Sequence, residues 1–406
     1  QGTTYHLKPP TTQMFYKVLS LAMSIVSLGN KSWWGYEEPH KLIKLNSLVI
    51  VIFAPACLAT QLMYLYVNRS VITFDTLGVI FSIVPVSALA NVNVYSARLG
   101  SYKTIMNDFM SKIHIFNKFS QNDEFMKKKI LTIERVTRWT AYYLIFFFAI
   151  NWVAWIWIPV YNNIRYKEHI QNRTMKLQTC IYMWFPFDYN YNYTNWLLIH
   201  ILNIYIVGCG VIVMMIFHTL NYIFIFHLIG HIQILKHKLR TELTNDMRDD
   251  VLKAKLVEVV NYHAFIIRVF KNVEAAFGIN VAANYLHNLL GDSLIMYQIM
   301  YGNRENVILY VVMVFVYMGE LILMSFVLEE IKRQTDDFDA VVYGVPWENM
   351  STSNQKIIML ILQRVQGTLE FKALGGLKAG VSPMIILKTT FSYYVMLEAT
   401  MADKAA

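Results

Sequence analysis

Charge is what this chain has least of. Asp, Glu, Lys and Arg make up 16% of its 406 residues, where a soluble globular chain carries about 25%. Hydrophobic residues make up 56% and the mean hydropathy is +0.37, so lipid is the solvent for most of the chain. Cysteine is scarce too, and three residues exclude a disulfide framework. No phosphate-binding glycine loop, serine elbow or HExxH zinc motif occurs. The chain is therefore expected to be neither an enzyme nor the holder of a cofactor. Its net charge of +9 reflects where the bases sit along a membrane protein, not attraction to nucleic acid. A basic start with a short apolar core and a small-residue cleavage site is not found, so the first span is expected to insert as its own signal.

What is present is a series of apolar runs, each long enough for a hydrocarbon core of about 30 Å. They lie at Leu48–Val67, Phe74–Ala97, Thr140–Tyr161, Trp196–Phe224, Phe277–Met300, Asn306–Val327 and Pro383–Ala399. Lys and Arg alternate around them. Stretches 1–41, 98–136, 234–275 and 329–380 hold four, eight, eight and six, whereas 68–72, 162–193, 301–305 and the tail hold one, four, one and one. Basic residues collect on the cytoplasmic side. The expected fold class is an all-α integral membrane protein of seven transmembrane helices in the plasma membrane, amino terminus cytoplasmic and carboxyl terminus extracellular. That orientation is the reverse of a G-protein-coupled receptor. Cys180 in the long outer loop also has no second outer-loop cysteine, so the disulfide tie of a rhodopsin-like receptor is missing. Of five Asn-x-Ser/Thr sequons, Asn68, Asn172 and Asn192 fall in loops the charge count places outside and are candidate glycosylation sites; Asn30 and Asn349 do not.

The chain divides into four parts: a cytoplasmic segment 1–41, spans one to six with cytoplasmic helical extensions at 42–330, a cytoplasmic loop with a half-helix at 331–380, and the seventh helix with its outer tail at 381–406. Met14–Leu28 is short for a span and carries Lys17, so it is read as a helix at the cytoplasmic interface, with Trp33 and Trp34 near the headgroups. Some 40 proline-free residues from Trp196 to about Leu235 would make a helix of roughly 60 Å, which must project from the bilayer. Leu252, Leu256, Val259, His263, Ile266 and Phe270 recur at helical spacing and lead without proline into the fifth span. Projecting helices with one apolar stripe imply a packed cytoplasmic anchor layer. Gln355–Gln366 is a further amphipathic helix, and Pro383 suits the first turn of the last span.

His200, His218, His227 and His231 share the long fourth helix, but only His227 and His231 stand one turn apart. They are read as structural histidines, since metal sites need converging ligands. Polar residues inside spans are costly. Asn280, Asn284, His287, Asn288 and Asp292 follow one face of the fifth span, and Glu320 lies in the sixth. The seventh carries Lys388, Thr389, Thr390, Ser392 and Glu398, which suits either a helix buried in a bundle or one lining an aqueous path. A second set occupies the outer halves of four spans. It comprises Phe74, Leu77, Ile80 and Phe81 in the second, Asn151, Trp155 and Ile158 in the third, Leu197, His200 and Ile201 in the fourth, and Tyr310, Met313 and Tyr317 in the sixth. Aromatic and methionine side chains with a few polar atoms suit a small apolar ligand, or simple packing with an interfacial aromatic belt.

The carboxyl-terminal part, Val341–Met350 (VVYGVPWENM) with Gln355–Gln366 and the run PMIILKTTFSYYVML from Pro383 to Leu397, resembles the insect odorant receptors. The inverted seven-span plan and the chain length resemble that family too. The resemblance implies a ligand-gated, non-selective cation channel of four subunits around a central pore. The short loop between spans four and five resembles an odour-tuning subunit, not the shared co-receptor with which such subunits assemble. Carried over by position, Thr390, Tyr394 and Leu397 would face the pore, and Leu387 and Glu398 are expected to face it with them. Tyr394 and Glu398 stand where the co-receptor has aliphatic residues. The family's pocket lies among the outer halves of spans two, three, four and six, which favours a ligand role for the aromatic set; the expected ligand is a small volatile apolar molecule. A gustatory-type channel of the same superfamily shares this plan, and a G-protein-coupled receptor would instead leave its tail in the cytoplasm.

Overall fold

A computed structural model describes residues 6–34, 40–72, 74–120, 123–244, 247–302, 306–376, 378–380, 392 and 395–396. Among these residues the regular elements are helices, with no β-sheet. The helices used below are α1 (Met14–Ile25), α2 (Lys41–Asn68), α3 (Phe74–Ser96), α4 (Gly100–Asp108), α5 (Glu124–Arg165), α6 (Tyr193–Thr241), α7 (Asp249–Tyr301), α8 (Val307–Asp336), α9 (Phe338–Tyr343) and α10 (Thr352–Val365). Each of the first six expected spans lies almost wholly within one of α2, α3, α5, α6, α7 and α8. Of the expected seventh span only residues 392, 395 and 396 are described, and Leu387, Thr390, Tyr394, Leu397 and Glu398 lie outside the described residues.

The surface is that of a protein in lipid. Trp139 is 70% exposed and Phe315 69%, whereas Asn280, Asn284, His287, Asn288, Asp292 and Glu320 are all buried. Apolar contact does not drive helices together in hydrocarbon, so buried polar groups do much of the joining. Among the described residues five helices are long and apolar enough to cross a membrane. The missing one is α7, whose polar face lowers its hydropathy. That face turns inward. Asn280 Nδ2 donates to Asn93 Oδ1 (2.7 Å) and Ser96 Oγ (2.8 Å) on α3, and Asn284 Nδ2 donates to Glu320 Oε2 on α8 at 2.9 Å. His218 of α6 meets Glu320 Oε1 at 2.7 Å, so three helices close on one carboxyl group. α3 and α7 also approach closely at Gly78, where a Cβ would lie 2.2 Å from Gln298.

α6 has 49 residues and α7 has 53, or roughly 75 and 80 Å at 1.5 Å per residue, far beyond a bilayer core. The amphipathic stretch from Leu252 and the fifth span are one unbroken helix. At the basic end these helices pack with α9 and α10. Lys236 pairs with Asp337, and Asn354 Nδ2 donates to Asp249 Oδ1 at 2.6 Å. Glu370, between Lys378 (2.7 Å) and Lys332 (3.0 Å), has its carboxyl pulled down to about 2 by those ammonium groups. α1 lays Tyr16, Leu19 and Met23 into this layer. Trp33 corrects the expectation of a headgroup position. It is 3% exposed, stacks on Phe109 at 4.8 Å, and its Nε1 donates to the Met106 carbonyl.

At the other end, the loop before α6 folds back into the bundle. Leu177, Cys180, Ile181 and Met183 are buried there, and side chains hold the backbone in place. Asn163 Nδ2 donates to the Gln178 carbonyl (2.9 Å) while its Oδ1 accepts from the Gln178 N–H (2.8 Å). Trp196 Nε1 donates to the same carbonyl at 2.7 Å, and the Trp184 N–H donates to the Thr60 carbonyl of α2. This loop is a plug.

Two outcomes are expected from these contacts. Glu320→Ala strands His218 and Asn284 and lowers stability by about 3 kcal/mol, whereas Glu320→Gln keeps an acceptor and loses less; melting of detergent-purified protein separates the two. Asn163→Ala takes the acceptor from the Gln178 N–H, at about 1–3 kcal/mol, while the Gln178 carbonyl keeps Trp196 Nε1. Limited proteolysis in proteoliposomes should then cut the 177–185 segment faster than in the parent.

Candidate ligand cavity

Prolines shape the walls of the cavity between the helices. Pro55 in α2 and Pro85 in α3 remove one intrahelical hydrogen bond each. The Val51 carbonyl left over by Pro55 accepts from the Tyr95 hydroxyl at 3.1 Å, and the Ala54 carbonyl accepts from Asn91 Nδ2 at 3.0 Å. Between these helices and α5, α6 and α8 lies a cavity of about 100 Å³. An engineered dry cavity of roughly 150 Å³ accepts benzene, so this one suits a small molecule. Its lining is mainly apolar: Ile83 and Val86 of α3, Phe148 and Trp155 of α5, Ile206 and Met214 of α6, and Ile181 of the plug. Polar atoms are few. Asn151 Nδ2 donates to the Tyr317 hydroxyl at 3.4 Å, while Asn151 Oδ1, 2% exposed as a residue, has no hydrogen-bond partner. A buried acceptor left open is costly, and a ligand hydroxyl in the cavity would satisfy it.

The residues expected from sequence divide into three groups. Asn151, Trp155 and Tyr317 line the cavity. Ile80, Tyr310 and Met313 are buried in the same apolar cluster, with Ile158 packed against it, but do not line the void; Leu77 and Phe81 are half-buried and do not line it either. On α3 the lining begins at Ile83, deeper than expected. Leu197 and Ile201 are corrected outright: they are 51% and 57% exposed and face away from the bundle. The buried face of α6 runs instead through Trp196, His200, Asn203 and Val207. His200 packs on Trp196 at 4.8 Å and meets Cys180 Sγ at 3.7 Å, tying α6 to the plug and not to the cavity. Phe74 opens α3; its side chain is not described. Sequence reading missed α2 altogether, although Ile50, Phe53, Ala54 and Cys57 form one wall. Pro55 and the small residues Ala54, Ala56, Cys57 and Ala59 around it were the available signal.

A second, more polar cavity of about 510 Å³ lies beyond the plug, among Tyr64, Asn68, Thr76, Tyr166, Lys176 and Asn306. Asn68 borders it, and Asn172 and Asn192 are exposed; Asn192 also caps α6, its Oδ1 accepting from the Thr194 and Asn195 N–H groups.

At the basic end, His114, Glu134 and His227 converge at metal-ligand separations. Ring tautomers argue against a metal there. His227 Nδ1 accepts from the Ile115 N–H (3.2 Å) and His114 Nδ1 from the Phe116 N–H (3.1 Å), so each neutral ring carries its proton on Nε2. His114 Nε2 then donates to Glu134 Oε1 at 2.7 Å, with the Tyr16 hydroxyl 3.3 Å from the same oxygen. His231 turns away to Tyr262 and the Ile113 carbonyl. These histidines clasp α1 and α5 to α6, as structural histidines do.

No curated protein matches the sequence. Among solved structures, the insect olfactory receptor OR5 from Machilis hrabei superposes with a TM-score of 0.78 at 14% identity, covering 94% of this chain and 97% of that one. The same receptor in complex with eugenol gives 0.78 at 14%, covering 95% and 98%. At that identity the likeness speaks for the fold, a multi-pass membrane bundle. The model of the 7tm Odorant receptor family matches residues 86–382, most of the chain, and the protein belongs to that family.

Proposed function

We propose that the protein is the odour-tuning subunit of a heteromeric, ligand-gated, non-selective cation channel. In this reading seven spans cross the plasma membrane from a cytoplasmic amino terminus to an extracellular carboxyl terminus. Four subunits, some of them a shared co-receptor, place their last helices around the pore, with Leu387, Thr390, Tyr394, Leu397 and Glu398 facing it. The carrying observation is the apolar cavity with two open acceptors, Asn151 Oδ1 and Asn91 Oδ1, inside a chain of the odorant receptor family. It suits a small volatile ligand with a hydroxyl. Eugenol, held by the Machilis receptor, carries one. The pore reading draws support from α7: His287 and Asp292 are buried there without a hydrogen-bond partner. Groups of that kind in a membrane call for water or further polar residues nearby.

Ligand gates the channel by binding the open arrangement more tightly than the closed one. Trp155→Ala removes the largest wall of the cavity, and the half-maximal concentration should rise about tenfold or more, equal to at least about 1.4 kcal/mol, at unchanged surface expression. Asn151→Leu should cost alcohols up to about tenfold while sparing the matched hydrocarbons, since one net hydrogen bond is worth about 0.5–1.5 kcal/mol. Dose-response curves of co-receptor-expressing cells decide both; curves that overlay the parent's place the ligand elsewhere. An epitope on the carboxyl terminus should stain on intact cells, and Glu398→Lys should shift the reversal potential. A tail reached only after permeabilisation would revive the G-protein-coupled reading.

A further inference from the structure

The cavity is closed at both ends and open at one side. Toward the loop end it is sealed by the plug, whose Ile181 forms its roof, and the polar cavity beyond shares no lining residue with it. Toward the basic end, Val94, Phe148, Val213 and Met214 are buried and form a floor. The side is different. α2 packs along α3 but hardly touches α6, and one hydrogen bond spans the gap, from the Tyr205 hydroxyl to Asn46 Oδ1 at 2.7 Å. Phe53 of α2 and Tyr205 of α6 line the cavity and are nevertheless 44% and 38% exposed, so the void reaches the outer face of the bundle between them. Gly210 stands at the same lip, and a Cβ built there meets nothing within 4 Å.

That face is in contact with lipid in a multi-pass protein. We propose that the cavity is filled from the bilayer, through a lateral opening between α2 and α6 with Gly210 at its lip and the Tyr205–Asn46 hydrogen bond across it. The entrant is an uncharged apolar molecule already dissolved among acyl chains, because the route offers a charged or strongly hydrated solute no partner for its lost water. The inference deepens the receptor reading and rests on it for the ligand's identity, but the opening itself is testable without any current.

Cys57 lies on the cavity wall and is buried, which makes it a reporter. In the full-length protein reconstituted in phosphatidylcholine vesicles, with Cys180→Ser and Cys209→Ser, pyrene maleimide dissolved in the bilayer should label Cys57. A charged, membrane-impermeant methanethiosulfonate should leave it intact from either side. Gly210→Phe fills the lip and should slow the maleimide reaction roughly tenfold; Asn46→Ala opens the latch and should speed it. The opposite signs keep the test decisive if one variant folds poorly. Labelling indifferent to both substitutions, equal attack by the charged reagent, or a Cys57 that no reagent reaches would each overturn the lateral opening and leave the receptor reading standing. Absence of any volatile-evoked current with normal labelling would do the reverse.

Discussion

Hydrocarbon gives helices no reason to associate through apolar surface alone, and in this molecule the reason is supplied by carboxyl, amide and imidazole groups. Glu320 is the clearest case. It draws α6 through His218 and α7 through Asn284 onto α8, and Asn280 then fixes α7 against α3. Once these registers are set, the rest follows. α5 packs along α6, the plug closes over the loop end, and the cavity is the space that α2, α3, α5, α6 and α8 leave between them. Replacing such a network by apolar residues would remove the information about rotation and depth that lipid cannot supply.

Much of this was legible in the sequence, for a physical reason. A long apolar run that enters lipid must close its backbone hydrogen bonds as a helix; hence each of the first six expected spans falls almost wholly within one helix, α2, α3, α5, α6, α7 or α8, although α5, α6 and α7 run well past the expected ends. The polar face of α7 was legible too, because Asn280, Asn284, His287 or Asn288, and Asp292 recur at helical spacing. Rotation of an apolar helix is another matter. Leu197 and Ile201 are as hydrophobic as their buried neighbours, and only His200 and Asn203 mark which side of α6 faces inward. Had the polar residues been used to orient α6, the outward pair would have been rejected. Trp33 shows the same weakness, since tryptophan serves equally at an interface and in a core.

The plug was illegible for a different reason. Between α5 and α6 a hydropathy reading sees a loop, and a loop is expected to be wet. The apolar run Cys180-Ile181-Tyr182-Met183-Trp184-Phe185 is too short to span, yet too hydrophobic to sit in water, and folding back is the remaining solution. Asn163, Asn203 and Trp196 supply hydrogen bonds that its backbone loses on entering the bundle, Asn203 Nδ2 donating to the Ile181 carbonyl. Irregular backbone is tolerated at membrane depth only on such terms.

The plug and the polar network also constrain how a ligand could act at a distance. Tyr317 lines the cavity on α8, and the ring of His287 on α7 meets it edge-on at 5.1 Å. One turn before His287 is Asn284, which holds Glu320. Contact between cavity and network is therefore direct, through α7 and α8, and crosses no loop. Adjacency alone does not gate a channel; a ligand shifts the balance only by what it gains in one arrangement over the other. Of the walls around the cavity, the one containing Tyr317 is the one that touches the polar face of α7. A ligand that takes the place of Asn151 at the Tyr317 hydroxyl acts on a ring already packed against His287.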